Sequence, residues 1–521
     1  MQRNDSPEGR PIAMPPGGVP AELDTFLSLD GPQSLLIRGP PGTGKTSLAV
    51  GLVERFHGRR MFVTSRVDPL QLRRQFPWLR EAHDDPATAV VIIDSFGSEG
   101  SIASSARVIA LAHEVLAEPA LSNGDPATEF LWLPPAVQEA LGHVDEEHPT
   151  LLVFDSWDAL VEQFLGAPGA RGGEVPDRAT VERFLLRRVH AAGAHLILVV
   201  ERAETSHLDY LVDGVVSTAS QFEDERLERW LTIQKLRRVR IEDALYPFTL
   251  EGGKFACVEP LPNRWQFDPA MPPPDPSRVP GTLWPGNASF AAEFGRLPVG
   301  QLTVLEIDSR LPESCERRLV VPMALTALAE GGRVLFTPSP TFRPEEIYDL
   351  VAAVLPRKVI RERLRIFCAE PRAIRRPELA QILFTRSTGH ANLAEEVPVH
   401  ALSEEFLSVA PPEGRVNMFI DSLANLRAFA RAAGSDLSPV TFPAALQHFL
   451  SLTPCAGVVV GVPGDPVLDG LLSLAGLHLR VRERHGRAVA YGVRPRTSAF
   501  VLALPTPPTP GSPSYELRRI V

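Results

Sequence analysis

Short apolar runs separated by longer stretches of mixed polarity recur along the first half of the chain. Nearly continuous apolar runs of this length are typical of strands that are covered on both faces. Helical stretches lie between them, notably at residues 103–116 and 180–192. Because strands alternate with helices, the pattern predicts a parallel sheet in an α/β domain. The predicted strands are 35–37, 60–64, 89–94, 150–155 and 195–201, with closing strands at 214–217, 229–234 and 246–250.

The second half repeats this order of elements in outline. Residues 301–307 correspond to the first strand, residues 333–337 to the strand at 60–64, and residues 416–423 to the strand that begins near 150. The last two landmarks are separated by about ninety residues in the first half and about eighty in the second, which indicates a duplicated unit. Late strands are predicted at 457–462, 477–482 and 488–493, with a turn at His485-Gly486.

Composition marks the boundaries of the two units. Residues 1–20 are rich in Pro, Gly and charge and predict a flexible N-terminus. Prolines crowd residues 259–287, and because proline fits neither a helix nor an inner strand, an extended linker is predicted there. The tail at 505–521 is rich in Pro, Ser and Thr and is predicted to be disordered. The folded domains are then expected at 21–258 and 288–504.

The overall composition is that of a soluble globular protein, with 44% hydrophobic and 22% charged residues. No apolar run is long enough to cross a bilayer and the N-terminus lacks a signal-peptide core, so we expect a cytoplasmic protein without a membrane partner. The four cysteines are far apart in the sequence, which predicts packed thiols rather than disulfides or a zinc site. A net charge of −10 argues against a surface built mainly for nucleic acid, although it leaves a local basic groove open.

The first predicted strand leads directly into a glycine-rich loop. The sequence GPPGTGKT at 39–46 fits the phosphate-loop pattern G-x-x-x-x-G-K-[ST], with a strand before it and a helix after it. Gly42 and Gly44 let consecutive N–H groups point at a phosphate, Lys45 supplies a charge to the outer phosphates, and the Thr46 hydroxyl can bind Mg²⁺. The predicted ligands are ATP and Mg²⁺. The residues predicted to hold them are Gly39, Pro40, Pro41, Gly42, Thr43, Gly44, Lys45, Thr46 and Ser47.

A bound Mg²⁺ also requires a carboxylate at the end of a strand beside the loop. Asp155, which ends the run LLVFD, is the predicted ligand, and Asp94, which ends VVIID, is the second candidate. For either residue the alternative is an aspartate that caps a helix or turn. Trp157 follows closely and would either stack on a base or, as we prefer, pack beneath the sheet edge.

The second copy lacks the glycine-rich loop. After the strand at 301–307 the chain reads Asp308-Ser309-Arg310-Leu311-Pro312-Glu313-Ser314, without Gly-Lys-Thr and without a glycine that could shape a phosphate nest. We therefore expect a degenerate second domain that does not bind nucleotide in the ordinary way. Such a copy usually keeps a packing or partner-binding role.

The order of motifs resembles that of the KaiC-like branch of the RecA superfamily, which includes tandem clock ATPases, RadA-like recombinases and the gas-vesicle regulator GvpD. The motifs that carry the resemblance are GPPGTGKT, FVT, LVFDSWDAL, VVER, LVDGVV, KLRRVR and YPFTLEGG, which together span roughly residues 34–255. The resemblance implies two RecA-like, three-layer P-loop domains in tandem, with ATP at a protein–protein boundary formed by self-association or within the chain. It also implies that Lys235 and Arg237 reach a phosphate bound by the adjacent domain. From the residues alone, a solvated strand edge is preferred for both.

The sequence departs from active members of that branch at one position. In those proteins the second strand is followed by a glutamate that activates the attacking water, whereas here Ser65, Arg66, Val67 and Asp68 follow. Because a general base contributes about two to four orders of magnitude in rate, its loss predicts slow hydrolysis with binding nearly intact. Asp68 and Glu201 are weak candidates for a substitute base, so whether the protein is an active ATPase is left open.

A basic run in the second half offers either an anion-binding surface or, as we prefer, a solvated helix face. It comprises Arg357, Lys358, Arg361, Arg363, Arg365, Arg372, Arg375 and Arg376. Three functions remain open: a regulatory ATP switch with a protein partner, an accessory recombination or repair ATPase similar to RadA paralogues, and a non-hydrolysing scaffold with structural ATP. The acidic net charge and the lack of an evident helix-hairpin-helix module count against the second function.

Overall fold

The computed structural model describes residues 18–79, 90–95, 135–142, 144, 149–165, 177–258, 272, 276–277, 279–368, 376–385, 406–407, 415–432, 436–453, 455–505 and 515–521. The chain divides into two compact units. The first takes in Met1–Val258 and Ile520–Val521, and the second takes in Glu259–Arg519. The helix predicted at 103–116 lies outside the described residues.

The first unit alternates strands and helices as far as β6 and then continues with strands. Its strands are β1 (Ser34–Arg38), β2 (Arg59–Thr64), β3 (Val90–Asp94), β4 (Thr150–Asp155), β5 (His195–Val200), β6 (Gly214–Glu223), β7 (Arg226–Leu236), β8 (Leu245–Thr249) and β9 (Ala256–Cys257). Its helices are α1 (Ala21–Leu27), α2 (Lys45–Arg55), α3 (Pro69–Gln75), α4 (Pro135–Gly142), α5 (Trp157–Leu165), α6 (Arg178–Ala191) and α7 (Leu208–Leu211).

These strands form one sheet in the order β3-β2-β4-β5-β1-β6-β7-β8-β9. The pairs from β3 to β6 are parallel, and the pairs from β6 to β9 are antiparallel. Side chains alternate between two apolar clusters: Leu35 and Ile37 pack with the helices on one face, and Leu36 packs with those on the other. The first unit is therefore a three-layer α/β structure with β1 inside the sheet.

The second unit contains the remaining elements. Its strands are β10 (Thr282–Leu283), β11 (Leu297–Pro298), β12 (Leu302–Ile307), β13 (Val334–Thr337), β14 (Leu364–Cys368), β15 (Leu383–Thr385), β16 (Asn417–Ser422), β17 (Cys455–Gly461), β18 (Ala475–Arg484), β19 (Arg487–Arg494), β20 (Phe500–Ala503) and β21 (Glu516–Arg519). Its helices are α8 (Ala288–Phe294), α9 (Glu313–Ala329), α10 (Pro344–Ala352), α11 (Arg357–Arg363), α12 (Leu423–Ala432), α13 (Thr441–Leu452) and α14 (Pro466–Leu471).

The large sheet of this unit repeats the topology of the first. Its order is β15-β14-β13-β16-β17-β12-β18-β19-β20-β21, so β12 lies between β17 and β18 as β1 lies between β5 and β6. Both neighbours are parallel to β12, and an antiparallel hairpin of β18 and β19 follows. Val304 and Leu305 point into clusters on opposite faces of the sheet. The repetition confirms the predicted fold class of two tandem, three-layer α/β domains.

The predicted disordered tail is wrong for its last residues. Glu516–Arg519 forms β21, which pairs antiparallel with β20, because Tyr515 and Leu517 are buried in the apolar core of the second unit. At the other end, Val19 of the predicted flexible segment is buried against the first core. Strand β10, which lies within the predicted linker, pairs with β11 of the predicted second domain.

The four cysteines all lie within the described residues, no disulfide bond joins them, and three of them are buried. Among the described residues, no helix combines the length and the apolar character needed to span a bilayer.

Candidate functional site

The glycine-rich loop connects the end of β1 to the start of α2, with Gly44 as the residue that precedes the helix. Gly42 and Gly44 have φ angles of 76° and 91°, in the left-handed region that favours glycine. The loop thus enters the N-terminus of a helix of 11 residues, where unpaired N–H groups and the helix dipole favour an anion.

Two of the glycines make close contacts with neighbouring strands and also have positive φ angles. A Cβ atom on Gly39 would lie 2.3 Å from the carbonyl oxygen of Thr218 on β6. A Cβ atom on Gly44 would lie 3.1 Å from a ring carbon of Phe248 on β8. The Thr43 hydroxyl lies 2.7 Å from the Thr218 hydroxyl. The loop is therefore packed closely against β6, the neighbour of β1, and against a side chain of β8.

Lys45 lies across this loop. Its ammonium group donates to the Pro40 carbonyl at 2.7 Å, and the residue is only 7% exposed. Burial lowers the pKa of Lys45, and the nearby carboxylates of Glu201 and Asp155 oppose that shift. A phosphate oxygen is a stronger acceptor for an ammonium group than a peptide carbonyl, because both partners are then charged. The lysine is thus already positioned at the loop that a phosphate would enter.

Thr46 and Asp155 meet beside the loop. The Thr46 hydroxyl donates to Oδ2 of Asp155 at 2.6 Å. Burial raises the pKa of Asp155, while the hydrogen bond from Thr46 and the charge of Lys45 act in the opposite direction. A hydroxyl and a carboxylate form the oxygen donor set that Mg²⁺ prefers. These residues therefore fit a magnesium ion that accompanies a phosphate group.

The second candidate carboxylate lies farther along the sheet. Thr64 on β2 pairs in register with both Asp94 and Asp155, so β2 separates the two aspartates. The hydrogen bond from Thr46 goes to Asp155. Geometry thus favours Asp155 as the magnesium ligand.

The two candidate bases have different surroundings. Glu201 follows β5, the neighbour of β1, and its carboxylate lies 2.6 Å from Arg66. Asp68 caps α3 by accepting the backbone N–H groups of Leu70 and Gln71 at 2.7 and 3.3 Å. The carboxylates that raise the pKa of Lys45 include Glu201, whereas the Asp68 carboxylate caps α3.

Lys235 and Arg237 bind groups at and just after the end of α7. The Lys235 ammonium group donates to the carbonyl oxygens of Asp209 and Val212 at 2.9 and 2.6 Å. Burial lowers the pKa of Lys235. Arg237 forms an ion pair with Asp213 at 3.0 Å. Within the first unit both cations stabilise local structure, and their contact with a neighbouring phosphate stays a prediction.

Two other residues at the loop were not identified from the sequence. Nη1 of Arg229, on β7, donates to the Gly42 carbonyl at 2.9 Å, and Thr218 packs against Gly39 as described above. Both lie on the β6–β7 hairpin, far from the loop in sequence, so only the strand order brings them to it. Trp157 is fully buried and its indole N–H lies 3.3 Å from Glu182, as the packing interpretation predicts.

The corresponding loop of the second unit has a different chemistry. Asp308 begins the connection from β12 to α9, and its carboxylate binds the Arg310 guanidinium at 2.7 Å. Arg310 holds the pKa of Asp308 down at about 2. Helix α9 begins at Glu313, where α2 begins at Lys45. An acidic side chain at that position repels a phosphate.

One carboxylate is retained in the second unit. Asp421 on β16 pairs in register with Thr337, as Asp155 pairs with Thr64. Its burial raises the pKa of Asp421 to about 6. The second unit has therefore kept the aspartate of the parent fold without the loop that holds phosphate.

The basic run of the second unit is partly engaged within the fold. The Arg376 guanidinium binds the Asp349 carboxylate, and Arg365 donates to the carbonyl oxygens of Arg361 and Leu364 at 2.8 Å. Arg372 and Arg375 lie outside the described residues. The remaining cations of the run lie on or at the end of α11.

Comparison with known proteins relates this chain to gas vesicle proteins. Residues 135–237 match the family model for the P-loop domain of the gas vesicle protein GvpD, a segment that begins after the glycine-rich loop and includes Asp155 and Glu201. The chain is 29% identical to Protein GvpD2 of Halobacterium salinarum over 373 residues, which are 68% of this chain and 70% of that protein. It is 30% identical to Protein GvpD1 of the same organism over 246 residues, which are 46% of this chain and 41% of that protein. These similarities support a GvpD-like P-loop protein, whereas membership of the wider KaiC and RecA branch stays a prediction.

Proposed function

We propose that the first unit binds Mg-ATP and hydrolyses it slowly, and that its nucleotide state regulates assembly or the binding of a protein partner. The observation that carries this proposal is the hydrogen bond of 2.6 Å between Thr46 and Asp155, directly beside Lys45 and the glycine-rich loop. The similarity to GvpD proteins supports a P-loop ATPase-like regulatory protein in general.

The binding step uses groups that are already in place. The N-terminus of α2 and the loop N–H groups bind the phosphates, and Lys45 exchanges the Pro40 carbonyl for a phosphate oxygen. Thr46 and Asp155 hold the Mg²⁺ ion, which neutralises phosphate charge when it is bound. Little rearrangement is needed, so binding is expected to be tight.

Slow hydrolysis follows from the residues after β2. Ser65 and Arg66 occupy the positions where active members of the resembling family carry glutamate. Ser65 is buried and hydrogen-bonded to the backbone of β4, and Arg66 is a cation, so neither can accept a proton from water. Because no base stands at this position, hydrolysis is expected to be slower than in a family member that carries the glutamate, by up to about two to four orders of magnitude.

A regulatory role is supported by the second unit. It repeats the fold but places Asp308 and Glu313 where the first unit has its phosphate loop. Such a copy supplies an interaction surface rather than a second reaction. Because the matched family model describes a gas vesicle protein, a gas-vesicle process is the first place to look for the partner.

Light scattering after size exclusion, combined with a phosphate-release assay, tests this function. We expect Mg-ATP, but not Mg-ADP, to change the molar mass or the partner binding of the protein, while phosphate release stays far below one turnover per second. Rapid turnover without any effect of ATP on assembly or partner binding would contradict the proposal.

A further inference from the structure

An ion pair joins the ends of β2 and β5 beside the phosphate loop. Nη1 of Arg66 lies 2.6 Å from Oε1 of Glu201, and the two side chains are 49% and 25% exposed. Both charges act on Lys45 and on Asp155, which are the residues assigned to phosphate and magnesium. The pair therefore lies within electrostatic reach of both residues, and Val200, which precedes Glu201, pairs in register with Arg38, which precedes the loop.

The backbone at Arg66 is held in place. The Ser65 N–H donates to the Asp155 carbonyl at 2.8 Å, and the Ser65 hydroxyl accepts the Ser156 N–H at 2.8 Å. These bonds tie the residue before Arg66 to the end of β4. Only the long side chain of Arg66 is free to take another position.

The backbone at Glu201 is held as well. Its N–H donates to Oδ2 of Asp158 at 2.9 Å, and Asp158 is itself fixed by Arg178, whose guanidinium donates to Oδ1 at 2.6 Å. Glu201 thus keeps its place beside the loop whether or not Arg66 is bound to it.

The ion pair is of a kind that a polyanion can break. Solvent screens a half-exposed pair, so the attraction between Arg66 and Glu201 is weak. A terminal phosphate carries more charge than a carboxylate and matches the guanidinium with two acceptors. A triphosphate in the loop is therefore expected to compete successfully for Arg66.

We propose that Arg66 moves from Glu201 to the terminal phosphate of a bound nucleoside triphosphate, and that the released Glu201 carboxylate is the base for the slow hydrolysis. The water oxygen forms a bond to the γ-phosphorus, and the bond from that phosphorus to the β–γ bridging oxygen breaks, with its electron pair staying on the diphosphate. The proton of the water passes to Glu201 and then to solvent. This assignment rests on the proposed function of the first unit.

The dissociation constants of fluorescent ATP and ADP analogues test the role of Arg66. Arg66→Ala is expected to weaken binding of the triphosphate about tenfold while binding of the diphosphate stays within about twofold, because only the triphosphate offers the terminal group. Arg66→Gln, whose side chain is closer in size to arginine, is a second variant and is expected to weaken triphosphate binding in the same way. Arg74→Ala on α3, which removes an exposed arginine, is the matched control and leaves both constants unchanged.

Single-turnover phosphate release tests the role of Glu201. Glu201→Gln is expected to slow release about a hundredfold, at the lower end of what a general base contributes, without weakening ATP binding. Glu204→Gln, an exposed glutamate three residues further along, is the control and keeps the normal rate.

Two results would overturn the assignment: equal effects of Arg66→Ala on ATP and ADP, or normal phosphate release by Glu201→Gln. If the unaltered protein bound no ATP, the proposed function itself would fail. The two failures are therefore distinguishable.

Discussion

At the scale of single residues, charged and hydroxyl side chains meet where β1 and β4 end, beside the glycine-rich loop. Thr46, Asp155 and Lys45 are joined by hydrogen bonds or by electrostatic interaction, and each is positioned by a strand or helix end. Burial disfavours the charged forms of Lys45 and Asp155. A bound magnesium–phosphate group is therefore expected to offset the free-energy cost of burying these two charges.

Replacing the magnesium ligand gives a residue-scale prediction. Asp155→Asn is expected to weaken ATP binding in Mg²⁺ by about tenfold or more, to the level that the unaltered protein shows in EDTA, because the amide lacks the charge that holds the cation. Titration of a fluorescent ATP analogue with and without Mg²⁺ measures this change.

Asp94→Asn is the matched control, since Asp94 ends β3 two strands away from Asp155. It is expected to leave the magnesium dependence unchanged. Loss of that dependence in Asp94→Asn, with retention in Asp155→Asn, would reverse the assignment of the ligand.

The sequence predicts the residues of the loop but not its lateral contacts. Thr46 and Lys45 follow from a local motif, and Asp155 follows from a strand end. Arg229 and Thr218 reach the loop only because β6 and β7 lie beside β1 in the sheet. For Arg66, the sequence shows only that the glutamate expected after β2 is absent, and it does not predict the role that we propose.

At the scale of elements, the phosphate loop depends on close contact with β6. Gly39 has a φ of 151°, and an added Cβ would lie 2.3 Å from the Thr218 carbonyl oxygen, which is backbone and cannot turn aside. A side chain at position 39 therefore cannot be accommodated unless the loop or β6 moves.

Gly39→Ala tests this dependence. The substitution is expected to cost about 1–3 kcal/mol of backbone strain in the binding-competent loop, which corresponds to roughly fivefold to 150-fold weaker ATP binding. Gly31→Ala is the control, because Gly31 also has a positive φ of 86° but an added Cβ there meets nothing within 4 Å. Equal loss of ATP affinity in both variants would show that the contact with β6 is unimportant.

Element boundaries were predictable where strands are buried on both faces. The strand predicted at 150–155 matches β4, and the one at 195–201 matches β5 to within a residue. Strand β6 ends at residue 223 and β7 begins at residue 226, so both strands of this hairpin are longer than the predicted strands at 214–217 and 229–234. Its outer part carries exposed polar residues, so it lacks the apolar run on which the prediction depended.

At the scale of the whole molecule, one fold is used twice with different chemistry. Both large sheets have the same strand order around a central parallel strand, but only the first unit follows that strand with glycines and a lysine. The second unit places Asp308 and Glu313 there. The account therefore predicts a single nucleotide site in each chain.

Titration calorimetry with Mg-ATP measures how many nucleotides bind to each chain. We expect one ATP to bind per chain, with affinity reduced by at least about tenfold in Lys45→Ala, and unchanged in Lys358→Ala, a control on α11 of the second unit. Two ATP molecules per chain, or full affinity in Lys45→Ala, would contradict the account.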